Sequence, residues 1–156
     1  MADPTVLEQF KIQAQVLVPL LKAFQEELGE ERANAIARKG LASWAYKMGQ
    51  QVGAQGTGTA AEKMAAILPV FSAGDAHDIE VLNQSAAAFE FNVTRCRYAQ
   101  FYQELGEPEL GFLFVCSQDF PLTEGFSPDL ELTRTQTIMQ GASHCDFRWR
   151  MKNKQS

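Results

Sequence analysis

The chain has 156 residues, 46% of them hydrophobic and 21% charged, with a net charge of −5. This suits one globular domain over residues 1–156 with a sizeable core; it offers no basic field for a polyphosphate, and the short tail Lys152–Lys154 does not change that, so nucleic acid is not an expected partner. No apolar run reaches the roughly 20 residues of a membrane span, the first residues do not read as a secretory signal, and three cysteines point to free thiols in a reducing, cytoplasmic setting.

Residues 5–28 carry Leu7, Phe10, Ala14, Leu17, Leu21, Phe24 and Leu28 at intervals of three and four, which predicts an amphipathic helix. Pro19 should kink or split it, and Gly29 should stop it. Glu30 and Glu31 suit the start of a second helix, running to about Val52 with Ala33, Ala37, Gly40, Trp44 and Met48 as its buried stripe. Small residues in that stripe imply close helix packing. The regular repeat of the first helix also leaves room for a homodimer through these N-terminal helices. Gly53–Thr59 reads as a linker, because it lacks the Gly-Lys-Ser/Thr ending of a phosphate loop. Thr59 and Glu62 form a capping box for a short helix ending near Leu68-Pro69.

From Asp78 the period becomes two. Ile79–Leu82 and Ala88–Arg95 read as a hairpin in which Phe89, Phe91 and Val93 face one side and Glu90, Asn92 and Thr94 the other. Tyr98–Leu105 is helical up to Gly106. Glu109 to about Gln118 is a helix or buried apolar turn, ended before Pro121. Leu130–Thr137 and His144–Arg150 form a second hairpin. The order predicts an α+β fold: N-terminal helices packed on a curved antiparallel sheet made of two hairpins, with helices inserted between them. Residues 1–75 are the mainly helical half, and 76–151 the strand-rich half that carries the site.

Three polar clusters occur in that second half: Asn92, Thr94, Arg95, Cys96 and Tyr98; then Cys116, Asp119 and Glu124; then Thr133–Thr137 with His144, Cys145 and Asp146. If the polar faces of the hairpins converge, they line a wet pocket for a small molecule, with Asn92, Arg95, Tyr98, Glu124, Arg134, Thr135 and Asp146 as binding residues and an arginine able to hold a carboxylate. Cys116 is the candidate nucleophile, with Asp119 on the same face and His144 as base; Cys145 alternates away from His144 onto an apolar face. Against this stands the reading of all three cysteines as buried core thiols. A Cys96, Cys116, Cys145 and His144 set would suit zinc, though no ligand spacing supports it and no cofactor is required. Asp119, Glu124 and Asp146 are acid–base candidates with His144. His77 reads as a surface turn residue.

The blocks Asn92–Tyr98, Glu104–Gly106, Cys116–Phe120 with Glu124-Gly125, Leu132–Thr137, and Gly141 through Phe147 resemble the L-2-amino-thiazoline-4-carboxylic acid hydrolase family. The closing Gly-x-x-x-Cys-x-Phe pattern resembles, more weakly, small-ligand domains of the 4-vinyl-reductase type, whose sheet curls around a ligand. The first resemblance implies ring opening of a cyclic isothiourea carboxylate to N-carbamoyl-L-cysteine. That chemistry needs a thiolate or activated water, an acid for the departing group, and a cation for the carboxylate. Residue chemistry offers Cys116 or an Asp119-held water, His144, and Arg95 or Arg134. A non-enzymatic binding or sensing domain on the same pocket is the alternative.

Overall fold

In the computed structural model, residues 2–153 are described; Met1 and the basic-tail residue Lys154 lie outside them. Helix α1 (Val6–Leu28) starts with a reciprocal cap in which Thr5 N–H donates to the Glu8 carboxylate and Glu8 N–H to the Thr5 hydroxyl. It runs unbroken through Pro19, which is exposed, so water can solvate the Gln15 carbonyl that loses its N–H partner. Gly29, at φ 82°, turns the chain into α2 (Glu30–Gly53). The expected Thr59–Glu62 capping box opens α3 (Ala60–Phe71). That helix continues past Pro69, again on its exposed side.

The buried stripe of α2 differs from the expected one. Ala33, Ala45 and Gly49 are buried, whereas Gly40 and Trp44 are exposed. Close helix packing is present, but against a helix absent from the sequence reading, α6 (Asp119–Phe126). A Cβ on Gly49 would fall 2.1 Å from the Leu122 carbonyl oxygen, one on Gly53 2.1 Å from that of Phe126, and one on Gly125 2.0 Å from that of Tyr46. Only glycines let the two backbones touch. Pro121 sits in the first turn of α6 and helps start it rather than ending a preceding helix, because first-turn N–H groups have no intrahelical acceptor anyway.

The sheet is wholly antiparallel, in the order β1 (His77–Gln84), β2 (Ala88–Cys96), β4 (Cys145–Met151), β3 (Leu130–Thr133). It is open, with β1 and β3 at its edges. Between the hairpins lie α4 (Arg97–Glu104), α5 (Pro108–Phe114), a 3-10 turn at Cys116–Gln118 and α6, so the α+β architecture stands. The strand β3 stops at Thr133, short of the expected Thr137. The N–H groups of Thr135 and Gln136 donate instead to Asp146 Oδ1, at 2.8 and 2.9 Å, which ends the ladder.

Apolar side chains form two clusters. One joins α1, α4 and α5 through Leu7, Leu21, Tyr102, Leu113 and Phe114. The other joins α3, α6 and the inner sheet face through Met64, Phe89, Phe91, Leu122 and Trp149. Cys96 and Ile138 pack against both. On the inner face the cross-strand partners Phe91 and Phe147 stack with ring centroids 5.0 Å apart. Among the described residues no helix is long and apolar enough to cross a membrane.

Candidate functional site

A cavity of about 120 Å³ opens where the two clusters meet, lined by residues of both. Its walls are mostly apolar: Phe91, Phe147 and Trp149 of the sheet, Phe10 of α1, Met48 of α2, Leu68 of α3. Polar groups enter at few points, and the principal one is an ion pair. Arg134 lies just past β3, its side chain 2% exposed, and Nη1 donates both to the Asp119 carboxylate and, at 3.0 Å, to the Cys116 carbonyl oxygen. Its guanidinium packs near the rings of Phe120, Phe147 and Phe112, 5.1, 5.4 and 6.0 Å from their centroids. Nε and Nη2 have no hydrogen-bond partner among the described residues. Asp119 opens α6, where the helix N-terminus favours its charge. Burial still pushes its carboxyl up to about 6, the charge and hydrogen bond of Arg134 only partly opposing this. About a third of its side chain remains accessible, and the residue lines the cavity.

The neighbouring Gln118 is 4% exposed. Its Nε2 donates to the Leu113 carbonyl and the Ser117 hydroxyl, while Oε1 has no partner among the described residues. A buried amide oxygen without a donor is unusual. His77 also lines the cavity, stacked on Tyr98 at 5.2 Å with Nδ1 3.1 Å from the Ser72 hydroxyl. Burial, then the charge of Arg95, pull its pKa down to about 4, so the ring is neutral at pH 7. All three cysteines reach the cavity. Burial raises each thiol: Cys96 to about 11, Cys145 above the usual range, and Cys116 well above it, where the Asp119 charge adds to burial. Each is protonated at neutral pH, which disfavours a thiolate nucleophile.

Of the ten residues given catalytic or binding roles from sequence, Cys116, Asp119, Arg134 and Tyr98 line this cavity, with the Tyr98 hydroxyl donating to the Phe71 carbonyl at 3.0 Å. The remaining six do not, and the expected convergence of polar hairpin faces is absent. Those faces point away from the helices. Asn92 accepts from Arg148 Nη2 at 2.9 Å on the outer face. Asp146 accepts from the Thr135 hydroxyl and the loop N–H groups, which outweigh burial and hold its carboxyl below the usual range. The Asp146 contact leaves Thr135 exposed. His144 neighbours the Ser143 hydroxyl at 2.9 Å, on the parity of β4 opposite to Cys145. Glu124 is exposed on α6.

Arg95 is turned out by a local irregularity. Asp78 pairs with Arg95 but Ile79 pairs with Val93, so Thr94 is an extra residue and the alternation of β2 inverts there. Arg95 consequently binds Asp75 and Asp78 at 2.8 Å on the surface. The same inversion aims Cys96, opposite His77, inward. His77 is therefore a cavity residue, not the surface turn residue expected. The signal for it was its place two residues before Ile79 in a period-two run. Gln118, which is buried, was also missed; Thr137 of the third cluster is buried and lines the cavity. The zinc set is not assembled: His144 does not line the cavity that the three cysteines reach, and among the described residues no group of three or more His, Cys, Asp or Glu is placed to hold a metal ion.

The model of the L-2-amino-thiazoline-4-carboxylic acid hydrolase family matches residues 9–149. Comparison with curated protein sequences gives no match. Among solved structures, the phenol-responsive sensory domain of the transcription activator PoxR with phenol is similar, with a TM-score of 0.52 and 13% identity over 86% of this chain and 72% of that one. At that identity the likeness concerns the fold.

Proposed function

The chain belongs to the L-2-amino-thiazoline-4-carboxylic acid hydrolase family, and on that basis we propose that it hydrolyses a small cyclic isothiourea or amidine carboxylate in the cavity beside Asp119 and Arg134. The observation that supports this reading is the ionised pair on the wall of an otherwise apolar cavity. Charged groups are costly there, and such sites favour chemistry over packing.

Asp119, with a pKa about 6, is mostly ionised at pH 7 and weakly held enough to accept a proton. It activates a water that adds to the carbon between sulfur and nitrogen. The tetrahedral carbon then expels the ring sulfur, which takes the proton back from Asp119. The second water proton passes to the amidine nitrogen as the water oxygen becomes the carbonyl of an N-carbamoyl amino acid carrying a free thiol. Arg134 orients the substrate carboxylate through Nε and Nη2. Gln118 Oε1 accepts an N–H of the amidine. The neutral His77 can donate or accept but carries no charge to the site. Cys116 is a wall residue in this scheme.

The test is incubation with 2-amino-thiazoline-4-carboxylate, the product followed by chromatography. Asp119→Asn keeps the size and the acceptor for Arg134 but removes the base, and turnover falls by about 10²–10⁴. Wild-type turnover in that variant excludes Asp119 as base. A second reading is favoured by the apolar walls and protonated thiols: a ligand-binding domain without turnover. It is the correct one if calorimetry detects binding across a panel of thiazolines and hydantoins while no product forms.

A further inference from the structure

Helix α1 buries one face and leaves a second apolar face uncovered. Ile12, Val16, Leu20, Phe24 and Leu28 recur every four residues and are 41–66% exposed. Residues 12–21 carry no charge at all. Beside this row runs a groove between α1 and α2, to which Ile36 and Leu41 contribute, and it continues toward Trp44. A contiguous apolar surface of this kind is uncommon on a monomer and marks an interaction site.

We propose that this face is the interface of a homodimer, a second copy of the chain packing across a two-fold axis near Leu20 with the two α1 helices antiparallel. The row is complementary to itself in that arrangement. Leu20 meets Leu20 and Val16 lies beside Phe24, as an isologous contact requires, while Ile12 and Leu28, about 80° to either side of Leu20 around the helix, flank the seam. Charge favours the same orientation. The Leu28 end of the groove carries exposed Glu26, Glu27, Glu30 and Glu31 against a single Arg32, and none of the four carboxylates has an ion-pair partner among the described residues. The opposite end carries Lys11 and Lys47. Lys47 has no ion-pair partner among the described residues, and Lys11 rests over the Phe101 ring, 5.6 Å from its centroid, with Glu8 near enough to feel its charge. An antiparallel copy brings acidic end to basic end; a parallel copy would set the carboxylates against each other. Phe10 and Trp44 line both the groove and the cavity, so the second copy packs against the back of the cavity wall. This inference stands apart from the chemistry proposed above.

The experiment is sedimentation velocity on the full chain at micromolar concentration. The expected species is a dimer, twice the 17.3 kDa chain. Leu20→Glu places two carboxylates face to face on the axis and weakens association by more than about 100-fold. Leu20 is on the surface, so the variant keeps its circular dichroism spectrum. Under mild oxidation Leu20→Cys gives a disulfide-linked dimer. Ile12→Cys does not, because it lies about 12 Å along the helix from the axis and its symmetry copy as far on the other side. A monomeric wild type overturns the proposal and leaves the face to another partner. So does a Leu20→Glu protein that stays dimeric, and a covalent dimer from Ile12→Cys overturns the antiparallel arrangement.

Discussion

Arg134→Met tests the buried pair most directly. Methionine keeps the length and apolar stem, so the packing among Phe112, Phe120 and Phe147 is largely retained. Two polar losses remain. The Cys116 carbonyl loses its donor, and Asp119 loses its counter-charge. Removing one partner of a buried pair costs about 3–5 kcal/mol; the accessible third of Asp119 places the expectation near the lower end. The diagnostic feature is the dependence on pH. In the wild type Asp119 has a folded pKa about 6, above the ordinary aspartate value of 3.8. A carboxyl raised by folding contributes stability that is fully present below the unfolded value and lost as pH rises through the folded one. Its contribution therefore falls between about pH 4 and 6 and is flat above. In the variant the folded pKa climbs further, so the loss continues above pH 6 at up to about 1.4 kcal/mol per pH unit until that new pKa is reached. Urea denaturation of both proteins at pH 5, 6, 7 and 8 measures the difference. A gap that is constant from pH 6 to 8 would falsify the electrostatic coupling of Asp119 to Arg134.

Cys116→Ala should leave the fold and most of the turnover intact, because a buried thiol raised well above its ordinary value is not ionised at pH 7; activity lost with the fold preserved would restore the thiol as nucleophile. Gly125→Ala should destabilise by about 3 kcal/mol or more, since the new methyl would sit 2.0 Å from the Tyr46 carbonyl oxygen and the helices must separate. In a scan this appears as a Tm lower by roughly 6–12 °C. Gly40→Ala on α2 meets nothing within 4 Å and should instead stabilise slightly, so equal effects at the two sites would contradict the close-packing account.

The helices and the main strands were readable because their apolar periods are long and regular: every third or fourth residue in α1, every second in Phe89–Val93. Proline misled twice. Pro69 and Pro121 were taken as terminators, yet one lies on an exposed helix side and the other in a first turn, where a missing N–H costs little. With α6 overlooked, Asp119 looked like a residue sharing a helical face with Cys116 rather than the head of a separate helix wedged against α2. Most of the cavity's polar wall was in the sequence reading, as Asp119, Arg134, Thr137, Tyr98 and the three cysteines. What was misplaced was the rest of the polar clusters, because polarity was taken to mark the ligand side of the strands. It marks the solvent side here: Asn92 and Asp146 serve the outer surface, and the inner surface is aromatic. Gln118 could be found only with its tertiary neighbours in place, whereas the period-two spacing from Ile79 already marked His77.

The extra residue at Thr94 makes chain length a chemical variable in this hairpin. Two residues on, side-chain direction depends on a count of one. Inserting one residue between Asp78 and Ile79, opposite Thr94, would restore strict alternation with Thr94 in register, bring the Arg95 guanidinium toward the apolar wall and turn Cys96 away from it. The cavity would gain a cation and lose a thiol with no substitution at either position. Related chains that differ here by a single insertion or deletion would thus present different cavity chemistry under an almost identical residue alphabet. Aligning them by residue type alone would miss the change.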